Sequence, residues 1–249
     1  MSGHNKWSSI KHKKGAADAK RGKIFTRIVK EIILAARDGG GDLSSNPRLR
    51  TAVQTAKGAN MPKDNIEKAI KRGTGEIEGA AYEEVTYEGY GHNGVALIIE
   101  VTTDNKNRSV AEIRHCLSKY GGNLAESGAV AWNFERKGSI EIKIEGKNED
   151  DFMMQALDFG ADDIKVVDDI FYVYTAPTDL YKVSSTFEEN GYTIEKAELT
   201  MLPKNIINAD DVAEKLIKLI DKLEDLDDVQ NLYANFEISD DVMNKINLD

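Results

Sequence analysis

Hydrophobic and polar positions alternate in two distinct rhythms along the chain. From Ala16 the spacing is helical. At roughly 100° per residue, Ile24, Phe25, Ile28, Val29, Ile32, Ala35 and Ala36 gather on one side. Asp38-Gly39-Gly40-Gly41 then supplies a stop in which glycine accepts a left-handed cap. Asn46-Pro47 predicts a second helix, with Asn46 as cap, Pro47 in the first turn, and Leu49, Val53 and Ala56 inward. Met61-Pro62 opens a third, with Ile66, Ala69 and Ile70 inward and Gly73 at its end.

Past Ala81 the period shortens towards two. Residues Glu83 to Tyr90 and Val95 to Thr103 read as a strand hairpin, Ser109 to Tyr120 as a helix, and Ala129 to Glu135 as a strand with Trp132 and Phe134 in phase, for which core packing is the favoured reading and base stacking the alternative. A compact series follows: strand Ser139 to Ile144, helix Glu149 to Phe159, strands Asp163 to Val167 and Ile170 to Thr175, helix Asp179 to Asn190, strand Thr193 to Met201. This βαββαβ order is ferredoxin-like. A helix at Ala209 to Leu223, a strand at Val229 to Phe236 and a short acidic helix close the chain.

The pattern therefore predicts a multidomain α and α+β protein: an N-terminal three-helix domain followed by two α+β domains, at least one of them ferredoxin-like. The ββαβ stretch from 81 to 136 has unpaired edges, which the αβ piece after 203 would complete. The expected division is a basic arm plus helical domain over 1–80, a discontinuous middle domain over 81–136 and 204–249, and an inserted domain over 137–203.

Charge sharpens this division. The 249 residues carry a formal net charge of −10, yet up to Arg72 there are 17 basic against 6 acidic residues, and after it 16 against 37. Residues Ser2 to Lys14 show no periodicity and read as a basic arm bearing Lys6, Lys11, Lys13 and Lys14, with Trp7 among them. Opposite the apolar side of the first helix lie Lys20, Lys23, Arg27, Lys30 and Arg37, with Leu34 interrupting the cationic arc. Distributed positive charge of this kind suits a phosphate backbone, because each neutralised phosphate releases counterions. Trp7 could stack on a base or fold back on the helices. In Thr102 to Ser109, Lys106 and Arg108 flank a helix start and offer a second phosphate contact; helix capping is the plainer reading.

Other chemistry is thin. His4, His12, His92 and His115 are scattered without ligand spacing, so no metal is expected; no cofactor is expected either. Adjacent helical residues diverge, so His115 and Cys116 do not make a base and nucleophile. The glycine clusters lack a phosphate-loop lysine, and the acidic runs, Asp225 to Asp228 included, lack calcium-loop spacing and read as solvated surface. No apolar run approaches membrane-spanning length, the positive start lacks the hydrophobic segment of a signal peptide, and a single cysteine fits a reducing cytoplasm.

The stretches MSGHNKWSSIKHKKGAADAKRGKIFTR, NPRLR, AKGANMPKDNIEKAIKRG, YEGYGHNGVALIIE, TDNKNRS and SGAVAWNFERKG make the chain resemble the YebC/PmpR family, which includes the mitochondrial translational activator of cytochrome c oxidase subunit I. The resemblance implies three domains and a non-enzymatic, nucleic-acid-binding regulator of gene expression, of the DNA-binding transcriptional type named for the family. It carries a nucleic-acid role onto Lys6, Lys11, Lys13, Lys14, Lys20, Arg21, Lys23, Arg27 and Lys30. Two alternatives stand beside it: a ribosome-associated translation factor that binds ribosomal RNA and relieves stalling, and an acidic protein-interaction adaptor. The expected partner is promoter DNA or ribosomal RNA, the latter with the ribosome itself, and the chain offers no evident dimer seam, which favours a monomer.

Overall fold

The structure is a computed structural model that describes residues 18–143, 146, 148–167 and 169–246. Ala16 and Ile144, at the ends of an expected helix and strand, lie outside them. The described residues divide into two compact units. One combines everything up to Asn133 with everything from Pro203 onward; the other is Phe134–Leu202.

The first unit begins with α1 (Asp18–Gly39), α2 (Pro47–Gly58) and α3 (Lys63–Gly73). Their inward stripes meet in one cluster: Ile28, Ile32 and Ile33 of α1, Leu49, Val53 and Ala56 of α2, Ile66 and Ala69 of α3. Asn46 organises the first corner. Its Oδ1 accepts from the Leu49 N–H at 3.0 Å, capping α2, while its Nδ2 donates to the carbonyls of Ala35 (2.7 Å), near the end of α1, and Gly40 (2.8 Å), just past it. Gly40 takes the left-handed φ of +81° that this ending requires. At Gly73 a Cβ would stand 2.5 Å from the Ile33 carbonyl, so only glycine lets α3 lie so close to α1.

The same unit continues with β1 (Glu83–Tyr90), β2 (Ala96–Thr103), α4 (Lys106–Lys119) and β3 (Asn123–Leu124). It resumes, past the second unit, with β8 (Ile207–Asn208), α7 (Ala213–Glu224), β9 (Val229–Ala234), β10 (Phe236–Glu237) and α8 (Asp240–Met243). The sheet order is β3-β1-β2-β9, with β1 antiparallel to both its neighbours and β9 antiparallel to β2; β8 and β10 form a separate parallel pair. Thus β9, far along the chain, supplies the partner that the edge of β2 lacks in sequence. Leu97, Ile99 and Val101 pack with Ile113 and Leu117 of α4, Leu216, Ile220 and Leu223 of α7, and Leu232 of β9.

In the second unit β4 (Phe134–Lys143), α5 (Glu149–Asp158), β5 (Asp163–Val167), β6 (Ile170–Thr175), α6 (Leu180–Glu189) and β7 (Ile194–Pro203) follow the ferredoxin-like order, with the sheet arranged β5-β6-β4-β7. Ile140, Ile142, Phe171 and Val173 alternate inward from the central strands against Phe152, Val183 and Phe187 of the helices. Phe152 stacks on Phe171 with ring centroids 3.9 Å apart.

Three sequence expectations need correction. The separate strands at 129–135 and 139–144 are one strand, β4, and Ala131–Asn133 before it is a 3-10 turn. Trp132 is therefore not an inward strand residue: it is 64% exposed, whereas Phe134 is buried. The last long helix begins four residues late, after a 3-10 turn at Asp210–Val212.

Candidate nucleic-acid interface

Of the residues expected to meet nucleic acid, Lys6, Trp7, Lys11, Lys13 and Lys14 lie outside the described residues. Lys20 and Arg21 belong to the opening of α1, but their side chains are likewise not described. The described part of the cationic arc comprises Lys23, Arg27, Lys30 and Arg37; the helical repeat places the first three on one stripe, while Arg37 pairs with Asp38 at 2.8 Å and donates to the Tyr82 carbonyl.

That stripe faces the end of α7. Lys23 Nζ donates to the Asp225 carbonyl at 2.7 Å and stands 3.5 Å from its carboxylate. The Arg27 guanidinium donates to the Glu224 carbonyl. Burial pushes the Arg27 pKa down, opposed by the negative charges of Glu224, Asp225 and Asp227. Lys30 Nζ donates to the carbonyls of Thr102 and Asp227, each at 2.9 Å, and to Asp228 Oδ1 at 2.8 Å. Lys23 and Arg27 thus meet carbonyls at the negative dipole end of α7, while Lys30 meets β2 and the segment that follows the helix. The acidic run Asp225 to Asp228, expected to be solvated surface, is their partner together with Glu224.

Lys30 must accordingly leave the set of phosphate contacts. It is 4% exposed, and each of its three ammonium protons has an acceptor inside the protein. Asp228, 6% exposed, is the hub: besides Lys30 it accepts from Thr103 Oγ1 (3.1 Å), an Arg108 guanidinium nitrogen (2.7 Å) and Ser109 Oγ (2.6 Å). Burial alone would raise its pKa, but the bonds from Arg108, Lys30 and Ser109 outweigh that and hold the carboxyl far below the usual range.

Arg108 also pairs with Asp104 at 2.8 Å, and Lys106 with Glu83 at 2.6 Å, while Asn105 caps α4 through the Arg108 N–H. Both side chains keep about half their surface, 51% for Lys106 and 45% for Arg108, but their charges are matched. The plainer reading of this loop accounts for its residues.

Positive charge that stays free lies elsewhere in the helical segment. Arg50 and Lys57 of α2, seven residues apart, share a face; so do Lys68, Lys71 and Arg72 of α3, at i, i+3 and i+4. All five are exposed, and none forms an ion pair with a described residue. Their spacing is legible in the sequence, but the larger cationic arc of α1 overshadows it there. Among the described residues there is no group of three or more His, Cys, Asp or Glu that could hold a metal ion, and no helix long and apolar enough to cross a membrane.

Two family models match the chain, one described as the TACO1/YebC protein N-terminal domain over residues 5–76, the other as the TACO1/YebC second and third domain over residues 82–236. Similar relatives include proteins named probable transcriptional regulatory protein from Syntrophobacter fumaroxidans (55% identical, covering 99% of this chain and 100% of that one) and Thermotoga maritima (55%, covering 99% and 98%). Another from Dictyoglomus turgidum is 56% identical over 99% of this chain and 100% of its own length. Among solved structures, a conserved hypothetical protein from Aquifex aeolicus matches with a TM-score of 0.82 at 48% identity, covering 90% of this chain and 93% of that one. With both models accounting for most of its length and relatives more than half identical from end to end, the chain belongs to the TACO1/YebC family.

Proposed function

We propose that the protein is a non-enzymatic regulator of gene expression that binds nucleic acid through its N-terminal helical segment, acting in the cytoplasm as a DNA-binding transcriptional regulator. The observation that carries this reading is the free positive charge of Arg50, Lys57, Lys68, Lys71 and Arg72 in a protein whose net charge is −10. The names of the relatives support the transcriptional side. The arm bearing Lys6, Trp7, Lys11, Lys13 and Lys14 is proposed to extend the same surface, together with Lys20 and Arg21. Lys23 and Arg27 take part only where nucleic acid displaces the carbonyls they now hold, since a phosphate oxygen and a helix-end carbonyl compete for the same donors.

Ribosomal RNA as the target is the second reading. It is favoured by Trp132, an exposed aromatic ring of use to unpaired bases and of little use to a duplex.

Titrating duplex DNA and RNA into the full chain at several salt concentrations tests the electrostatic reading. The five cations of α2 and α3 alone give a slope of about −4.5 in log K against log salt on B-DNA, steeper with the arm engaged, and the Lys68→Ala/Lys71→Ala/Arg72→Ala variant should flatten it by ~2.7. An unchanged slope removes these residues from the interface; a wild-type chain that binds neither nucleic acid at low salt leaves the acidic adaptor as the better account. Crosslinking in cells, followed by sequencing of what is bound, separates promoter fragments from ribosomal RNA.

A further inference from the structure

Trp132 stands on a loop whose order comes from a buried carboxylate. Glu88 of β1, 7% exposed, accepts three backbone N–H groups from the 126–131 segment: Gly128 at 2.6 Å through Oε1, and Val130 at 2.7 Å and Ala131 at 2.9 Å through Oε2. Tyr90 adds its hydroxyl to the Ala129 carbonyl at 3.2 Å. On the other side of the tryptophan, the buried Asn133 Oδ1 accepts from Asn205 N (2.9 Å) and Nδ2 (3.0 Å). Asn205 in turn offers its carbonyl to Asn235 Nδ2 at 3.0 Å, and Asn235 Oδ1 accepts the Ala96 N–H at 2.7 Å. The backbone on both flanks of Trp132 is thus pinned to the sheet.

The ring itself is not. Trp132 is the most exposed large hydrophobic side chain among the described residues, at 64%. Its one polar atom is already used, since Nε1 donates to the Ala129 carbonyl at 2.9 Å. What remains for a partner is the flat π-face, with no unsatisfied donor demanding an acceptor. Lys204 is held against the residue that follows the tryptophan in the chain: its backbone N–H donates to the Asn133 carbonyl at 2.8 Å. The Lys204 side chain is exposed and makes no ion pair with a described residue. A planar apolar surface with a nearby cation is what a single-stranded nucleic acid meets on its binding proteins: the ring takes a base, the ammonium the phosphate.

We propose that Trp132 is a stacking platform for an unpaired base of single-stranded nucleic acid, with Lys204 as its phosphate contact. This rests on the nucleic-acid reading above and adds a site remote in sequence from the basic N-terminal segment. The Glu88 clamp gives the site its preorganisation: the loop is ordered before the base arrives, so little entropy is lost on stacking.

The test uses the full chain with a short oligo(U) and, separately, a blunt RNA duplex. Trp132→Ala should weaken oligo(U) binding about five- to 150-fold, the range expected for one base–aromatic stack. Trp132→Phe should stay within about threefold of the parent, Trp132→Leu should behave like the alanine variant, and all three should hold duplex as the parent does. The chain has two tryptophans, so in a Trp7→Phe background Trp132 is the sole indole emitter, and its fluorescence should be quenched by oligo(U). Unchanged oligo(U) affinity in Trp132→Ala, an equal loss on both ligands, or no quenching overturns the site and leaves the electrostatic reading standing. Absence of any binding by the parent at low salt overturns both.

Discussion

Replacing Asp228 by asparagine removes one negative charge from the most constrained polar cluster described. Asparagine has nearly the same shape, so packing is retained and the effect isolates charge. Lys30, 4% exposed, keeps its carbonyl acceptors on Thr102 and Asp227 but loses its counter-ion, while the new amide turns donor protons towards Lys30, Ser109 or Arg108. Breaking a buried ion pair by removing one partner costs about 3–5 kcal/mol. At ~2–4 °C per kcal/mol for a cooperative unit of 150–250 residues, the melting temperature of the unit containing Asp228 should fall by roughly 6–20 °C. Calorimetry reads this directly. The double variant Lys30→Met/Asp228→Asn should recover part of the loss, with a coupling of about 1–3 kcal/mol, because the stranded charge is gone. The pH dependence follows with a definite sign. The folded carboxyl titrates below its unfolded value of about 3.9, so its contribution is complete above that value and is lost as pH falls towards the depressed folded value. Asp228→Asn should therefore flatten the acid limb of the wild-type stability curve. A melting shift under about 2 °C, with additive single and double variants, would refute the view that Lys30 is held by Asp228 rather than available to phosphate.

Two further substitutions probe other parts of the molecule. Glu88→Gln replaces one of the acceptor oxygens facing Gly128, Val130 and Ala131 with a donor, leaving at least one backbone N–H without a partner; the expected cost is roughly 1–3 kcal/mol. Faster amide exchange confined to 126–132 should accompany it, and protection unchanged there would show that the clamp does not order the loop. Burial alone would raise the Glu88 pKa, but its three backbone bonds hold it below the ordinary value, so this clamp also weakens as pH falls through the folded value and not as it rises. In the second unit, a Cβ at Gly138 would stand 2.3 Å from Thr175 Oγ1 and 2.9 Å from Leu180 Cβ, so Gly138→Ala should destabilise that unit by about 1–3 kcal/mol by urea denaturation; a neutral result would mean that β4 can shift away from α6.

What the sequence could disclose depended on how far apart the interacting residues lie. Asn46 was legible as a cap because the N–H it accepts is three residues away, and the ferredoxin-like unit was legible because its alternating strands and helical stripes are each set by neighbours within a few positions. The same local rule placed Lys23, Arg27 and Lys30 on one stripe, but periodicity says only that residues share a face, never what covers it. Their partners lie about two hundred positions later, at the end of α7, and a run such as Asp225 to Asp228 looks like any solvated surface until the fold brings cations against it. Trp132 shows the opposite error. Its phase with Phe134 suggests burial, but Glu88, more than forty residues earlier, and Asn205, more than seventy later, hold its flanks in a turn before the strand, and the ring is left in solvent. Both cases have one physical origin. A carboxylate taken out of water must be met by several donors, and the donors are recruited from wherever the chain returns, so a buried acid governs the shape and availability of segments remote in sequence. Asp228 withdraws Lys30 from solvent, and Glu88 delivers Trp132 to it. The surface left for a polyanion is therefore set as much by these two buried acids as by the lysines and arginines that would touch it.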